Sequence, residues 1–444
     1  MVQPKYQKLN RAFLRLSLPT IFMNVSLPLL GAVDTAVVGH LPDIHHVGAV
    51  GVGAMLFNVL YWSFGFFRMS TVGLAAQSHG RGDEAETLHV LVRGVGLAVM
   101  FGLIVIALRE PFIAAAFQFI HASPLVQENA EIYTRIRMLA APAVFLNLVF
   151  TGWFFGVKNV RFPVMLTILI NSLNIGLDFL FVVKWGMTSD GVAWATVLAQ
   201  YLGVGATLIY FFAMFGGRLR LISLRAALDW PRVRAILGMN RDIFLRTLGL
   251  LFTQLMFISY SAAMGDTVLA VNTILIQYRY ITGYALDGFA VGAEVLVGSA
   301  IGSGKRSELL ATIRMSLVWG FLAAVGFTLV YALFGMPIAA LFTNNEAVLA
   351  LISVYLIWAV VEPLVSNFCY MLDGVFVGAT ATRMMRDSML IAAILIFLPV
   401  FLWWEWAYGN HGMLAAVILF NGARGVLLGY LVWRLGRDPH FRLA

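Results

Sequence analysis

Residues 13–41 read FLRLSLPTIFMNVSLPLLGAVDTAVVGHL. The run is long enough to cross a bilayer, which takes roughly 20 apolar residues as a helix. Three residues stand out in it: Pro19, Pro28 and Asp34. A charged acid at the centre of a membrane helix costs about 2.5–3.5 kcal/mol on insertion scales, so it normally faces protein or water. Each proline removes one helix hydrogen bond and allows a bend. An acid on a bendable helix is the pattern of a proton-sensitive gate. An interfacial acid near the outer end of an ordinary helix is the other reading, and the stretch alone leaves both open.

The rest of the chain extends the same character. Of 444 residues, 61% are hydrophobic and only 12% charged, with a mean hydropathy of +0.86, which excludes an ordinary soluble protein. Twelve apolar spans are predicted, at 12–38, 47–72, 90–110, 130–155, 162–184, 191–214, 242–263, 268–298, 311–333, 349–378, 387–407 and 411–434. They are apolar all round, as membrane spans are. The net charge of +8 is distributed by topology. Basic residues gather at the N-terminus, in every second loop and at the C-terminus, with Arg109 and Lys184 the main exceptions. The positive-inside rule then places both termini in the cytoplasm and gives no reason to invoke nucleic acid. Cys369 is the only cysteine, so no intramolecular disulfide or cysteine metal site is expected. No A-x-A-like site follows the first span, which is read as uncleaved.

The two halves repeat at an offset of 222 residues. AAQSHGRGD (75–83) matches VGSAIGSGK (297–305), aligning Gly80 with Gly302. FFGVKNVRFP (154–163) matches FVGATATRMM (376–385), aligning Gly156 with Gly378 and Arg161 with Arg383. Six spans per half return the chain to the side it started from, so the halves share one orientation. The expected fold is therefore an all-α membrane protein of 12 transmembrane helices, in two six-helix bundles related by a pseudo-two-fold along the membrane normal. The expected division is a first lobe at 1–214, a linker at 215–241 and a second lobe at 242–444.

Polar residues inside these spans are the candidate sites. The fifth span carries Asn171, Asn174 and Asp178, whose spacings of three and four share one helical face. Asp178 and Asp34 are expected at similar depth, and Asn147 and Thr196 would complete a polar patch. Two carboxylates at one depth would raise the proton affinity of at least one; the asparagines alone also read as interhelical glue. The second half has no acid at the equivalent places and carries Arg279, Asp287, Glu294, Glu362, Asp373 and Arg424 instead. These form either a satisfied buried ion network or a second cation or substrate site. GSGKRS (302–307) fails the phosphate-loop pattern, and there is no H-E-x-x-H, so no enzyme is indicated.

GAVDTAVVGHL (31–41), FFRMSTVGLAAQSHGRGD (66–83), INSLNIGLDF (170–179), YALDGFAVGAE (284–294) and YMLDGVFVGAT (370–380) together resemble the multidrug and toxic compound extrusion (MATE) family. The similarity is strongest to its DNA-damage-inducible, DinF-like bacterial branch. The resemblance implies a monomeric exporter in the bacterial inner membrane, acting on organic cations and amphipathic drugs by antiport. It needs no cofactor beyond the coupling ion. It also implies protonation at Asp34, bending of the first helix near Pro19, and a polar cavity at Asn174 and Asp178. The seventh span lacks an acid after Asp242 at its start, which favours protons; Asp373 matches a cation-site position in sodium-coupled relatives, which keeps sodium open. A lipid-linked-sugar flippase of the same superfamily is the remaining alternative. A polyprenyl-lipid enzyme would ask for a D-D-x-x-D-like run, which the sequence lacks.

Overall fold

In the computed structural model the described residues are 4–39, 43, 45–120 and 122–437; the side chains of 4–5, 27–36 and 38 lie outside the description. Asp34 and Pro28 belong to that last group.

Among the described residues the regular structure is entirely helical. The first half begins with α1 (Pro4–Gly39), α2 (His45–Ser63) and α3 (Phe66–Arg81). It continues with α4 (Glu84–Ala107), α5 (Arg109–Phe119), α6 (Pro124–Arg137), α7 (Ala141–Gly156), α8 (Arg161–Asp178) and α9 (Ser189–Phe215). A short α10 (Leu224–Ala227) precedes α11 (Trp230–Ala263), α12 (Asp266–Gly302), α13 (Arg306–Ala340) and α14 (Glu346–Gly378). The chain ends with α15 (Thr382–Ile391), α16 (Leu398–Tyr408) and α17 (Asn410–Arg437). Eleven continuous helical stretches among the described residues are long and apolar enough to span a membrane; α1, 36 residues long, covers the first expected span. Several expected spans are pieces joined end to end. A π-helical turn at Phe179–Lys184 extends α8, and another at Ala392–Phe397 joins α15 to α16.

The internal repeat is visible in the backbone. Gly82 and Gly304 both adopt positive φ, at 75° and 70°, as do Lys158 and Thr380, at 64° and 58°. Each pair is separated by the 222 residues read from the sequence. Two close helix crossings obey the same offset. A Cβ on Gly152 of α7 would lie 2.5 Å from the carbonyl oxygen of Arg68 on α3, and a Cβ on Gly374 of α14 would lie 2.5 Å from that of Ala290 on α12. Gly156 and Gly378 follow one turn later, so each half packs one long helix against another through a G-x-x-x-G face, where only hydrogen allows the backbones to meet.

The described residues form two compact units. One holds Val25–Leu237; the other holds the chain through Asn24 together with everything from Gly238. This differs from the division expected from the sequence, which keeps all of the first helix in the first lobe. The reason is local packing: α1 up to Asn24 lies against α12. A Cβ on Gly288 would sit 2.7 Å from the amide nitrogen of Ile21, and one on Gly292 would sit 2.3 Å from Ser17 Oγ. Phe13 stacks on Phe289 with ring centroids 6.1 Å apart. α11 already begins at Trp230, inside the stretch expected as the linker.

Candidate functional site

In the unit of Val25–Leu237, α8 turns Asn174 and Asp178 inward, at 1% and 0% exposure, while Ile175 and Phe179 face outward. The i,i+4 spacing of Asn174 and Asp178 produces this. Asp178 is the last α-helical residue before the π turn, a feature that often accompanies functional positions in helices. Asn174 Nδ2 donates to Thr196 Oγ1 at 3.2 Å, and Thr196 donates in turn to the Val192 carbonyl at 3.1 Å. One turn along α9, Gln200 accepts from Asn147 Nδ2 at both its side-chain and backbone oxygens, at 3.0 and 3.2 Å. Asn147 of α7 is thereby tied to the face of α9 that carries Thr196. Gln200 was not among the expected residues; its position four after Thr196 was the available signal. Asn171 lies one turn before Asn174, half-buried, and its side chain makes no hydrogen bond among the described residues.

The charges of the second half are sorted by the fold into three places. Asp373 of α14 accepts from Arg424 Nη2 of α17 at 2.6 Å and, on the same oxygen, from Arg246 Nη2 of α11. Arg424 also donates to Asn421 Oδ1 at 3.0 Å, and Asn421 donates to Ser366 Oγ at 3.0 Å. Three helices are thus joined by one carboxylate and two guanidinia. Arg246 is the residue the sequence reading missed: its place one turn inside the seventh span reads as interfacial. Arg246 adds a third base to the four acids and two bases named from the sequence. Glu362 and Arg279 line a separate cavity with Phe257, Trp358 and Leu414. Asp287, half-buried, faces α1, where Asn24 Nδ2 donates to its Oδ2 at 3.1 Å and to the Tyr284 carbonyl at 3.3 Å. Glu294 is 2% exposed two turns further along α12. Pro19 is half-buried within the unbroken α1.

A repeated bundle of membrane-length helices with polar side chains buried among them defines a polytopic α-helical membrane protein. The MatE family model matches residues 19–180 and again 243–403, once in each half. The chain is 39% identical over 429 residues to the DNA damage-inducible protein F of Escherichia coli strain K12, covering 96% of this chain and 92% of the relative. A probable multidrug resistance protein NorM of Thermotoga maritima is 24% identical over 349 residues, covering 77% and 74% of the two chains. Among solved structures, a MATE in the bent conformation superposes with TM-score 0.87 at 20% identity, covering 98% of both chains. A MOP superfamily transporter from Pyrococcus furiosus superposes with TM-score 0.85 at 20% identity, covering 98% of this chain and 99% of that one. The chain belongs to the MatE family. It is a secondary-active transporter and not an enzyme, with the all-α, twelve-helix, two-bundle membrane fold of MATE proteins.

Proposed function

We propose that this transporter exports organic cations and amphipathic drugs in exchange for protons by alternating access. Asp34 is the protonation switch, Asn174 and Asp178 are its polar partners, and the prolines of α1 are the hinge. The single observation that supports this most directly is the buried Asn174–Thr196 hydrogen bond beside the buried Asp178, a polar face inside a membrane unit, where polar groups generally mark a transport path. Asn147 and Gln200 extend that face, and Asn171 borders it. When Asp34 loses its proton it draws on these donors; when it gains one the charge-assisted bonds weaken and α1 is free to bend. Relatives described as multidrug resistance proteins and MATE structures in bent and straight conformations agree with this cycle.

Protons are favoured over sodium because the Asp373 carboxylate is already met by two guanidinia. The second-lobe cluster then acts as a structural tie of α11, α14 and α17. The two six-helix lobes would work as a monomer in a bacterial inner membrane with both termini cytoplasmic, as the loop charges favour. The test is drug efflux from proteoliposomes under separately imposed pH and sodium gradients. Asp34→Asn, nearly isosteric and fixed in the neutral state, should abolish pH-driven efflux while the protein stays folded. Full efflux by that variant, or efflux driven by sodium alone, would refute the proposal.

A further inference from the structure

The segment between α9 and α11 carries a surface that the transport cycle leaves unexplained. It is not a loose tether. Arg93 of α4, 3% exposed, donates through Nε to the Ala227 carbonyl at 2.7 Å and through Nη2 to the Ala226 carbonyl at 3.1 Å. These are the last carbonyls of α10, which otherwise lack partners at a helix end. Glu86 accepts from Arg93 Nη1 at 2.8 Å and pairs with Arg232. His89 Nε2 accepts from the Ser223 amide at 3.1 Å. The clasp buries Ala227 completely against this face and fixes which side of the segment points away.

That outward side combines apolar bulk with unused positive charge. Leu224, Leu228 and Trp230 are 66%, 67% and 64% exposed, and Leu224 and Leu228 lie one helical turn apart on a common face. Arg220, Arg225 and Arg234 are exposed, and among the described residues none of their side chains has a hydrogen bond or ion pair; Arg218, by contrast, is taken by Glu84 at 3.0 Å. A segment that connects two membrane spans directly sits at the level of the lipid headgroups. There, leucine and tryptophan side chains gain by entering the acyl boundary, and arginines gain by meeting phosphate.

We propose that residues 220–234 form an interfacial anchor for anionic lipid headgroups, with Leu224, Leu228 and Trp230 inserted and Arg220, Arg225 and Arg234 on the phosphates. The segment thereby seats the first-half unit, through the Arg93 clasp, at a fixed depth in an acidic leaflet. The arginines supply selectivity for acidic over zwitterionic lipid, because each basic side chain near a negatively charged surface adds attraction that falls away with salt.

The test uses the full chain carrying Leu228→Cys with a fluorescent label; Cys369, the only native cysteine, is 0% exposed and stays unlabelled. The protein is reconstituted in vesicles of phosphatidylcholine alone, or of equal parts phosphatidylcholine and phosphatidylglycerol. A trace of phosphatidylcholine bearing a headgroup nitroxide serves as quencher. Quenching should be several-fold stronger in the acidic vesicles. It should fall to the phosphatidylcholine level when Arg220, Arg225 and Arg234 are changed together to Gln, and persist when they are changed together to Lys. These side chains are exposed and unpaired, so all variants should elute as folded protein on gel filtration. Equal quenching in the two vesicle types, or quenching unaffected by the triple Gln change, would overturn the proposal.

Discussion

Changing Asp373 to Asn leaves the buried Arg424 and the half-buried Arg246 guanidinia facing one neutral amide. Arg424 and Arg246 are 3% and 15% exposed at their side chains, and both donate to the same Asp373 oxygen. Two donors on one oxygen hold their nitrogens no more than about 5 Å apart. At an effective dielectric of about 20, two unit charges at that separation repel by roughly 3 kcal/mol. This agrees with the range of about 3–5 kcal/mol for removing one partner from a buried charge pair. Arg246→Met alone should cost much less, because Asp373 keeps Arg424 at 2.6 Å and the cluster becomes neutral. Combining the two changes should then restore much of the stability lost in the single Asp373→Asn variant, since only one guanidinium remains. The assay is the unfolding midpoint of purified protein in detergent, with pH-driven efflux measured on each variant that folds. A structural tie predicts that the rescued double variant still transports. If Asp373→Asn costs nothing, or if Arg246→Met fails to rescue it, the electrostatic reasoning is wrong. If the rescued variant is stable but inert, Asp373 belongs to the transport machinery.

Gly374→Ala should destabilise by about 1–3 kcal/mol, the usual cost of overpacking, because the new Cβ meets the Ala290 carbonyl at 2.5 Å. Gly176→Ala, with nothing within 4 Å, should instead be neutral or stabilising by up to about 1 kcal/mol from helix propensity; equal midpoints for the two would contradict the close crossing of α12 and α14. Arg93→Gln should release the 222–232 segment, read as faster proteolytic nicking between α9 and α11 than in the unmodified protein. An unchanged nicking rate would mean that the Ala226 and Ala227 carbonyls are held by something else.

How much of this could be read in advance follows from the range of each interaction. Membrane spans are legible because bilayer thickness demands a continuous apolar run, whatever its neighbours. The halves are legible because Gly156 and Gly378 are required where backbones meet, so the requirement leaves the same residue at the same offset. Asn174 could be placed on one face with Asp178 because helical spacing marks it, whereas Thr196 offers only its polarity as a signal. Arg246 and Asp373 are 127 residues apart, and Asn24 and Asp287 are 263 apart. Nothing local in Asn24 or Arg246 announces a partner, so neither was singled out. The π turns after Asp178 and Ile391 are likewise silent, since they occur in apolar runs that would equally continue as α-helix.

Those distant contacts also distinguish the two prolines of α1, which the sequence treats alike. Pro19 lies within the segment that packs on α12. Its neighbours Ser17 and Thr20 are 0% exposed, Ile21 fills the space left by Gly288, and Thr20 Oγ1 bonds the Leu16 carbonyl at 2.8 Å. A bend at Pro19 would have to pull this packing apart. Pro28, lacking an N–H, leaves the Asn24 carbonyl without its helical donor, and Asn24 is the last residue of α1 assigned to the second-half unit. The Asn24 side chain meanwhile holds Asp287 and the Tyr284 carbonyl. The hydrogen bond that Pro28 cannot donate therefore weakens α1 just beyond the part that packs on α12. Pro28→Ala, which restores one backbone hydrogen bond there, should slow pH-driven efflux from proteoliposomes more than Pro19→Ala, with drug binding retained in both. Asn24→Leu should loosen the anchored half and shift the pH dependence of efflux. A larger loss from Pro19→Ala than from Pro28→Ala would place the hinge inside the α12 contact and refute this assignment.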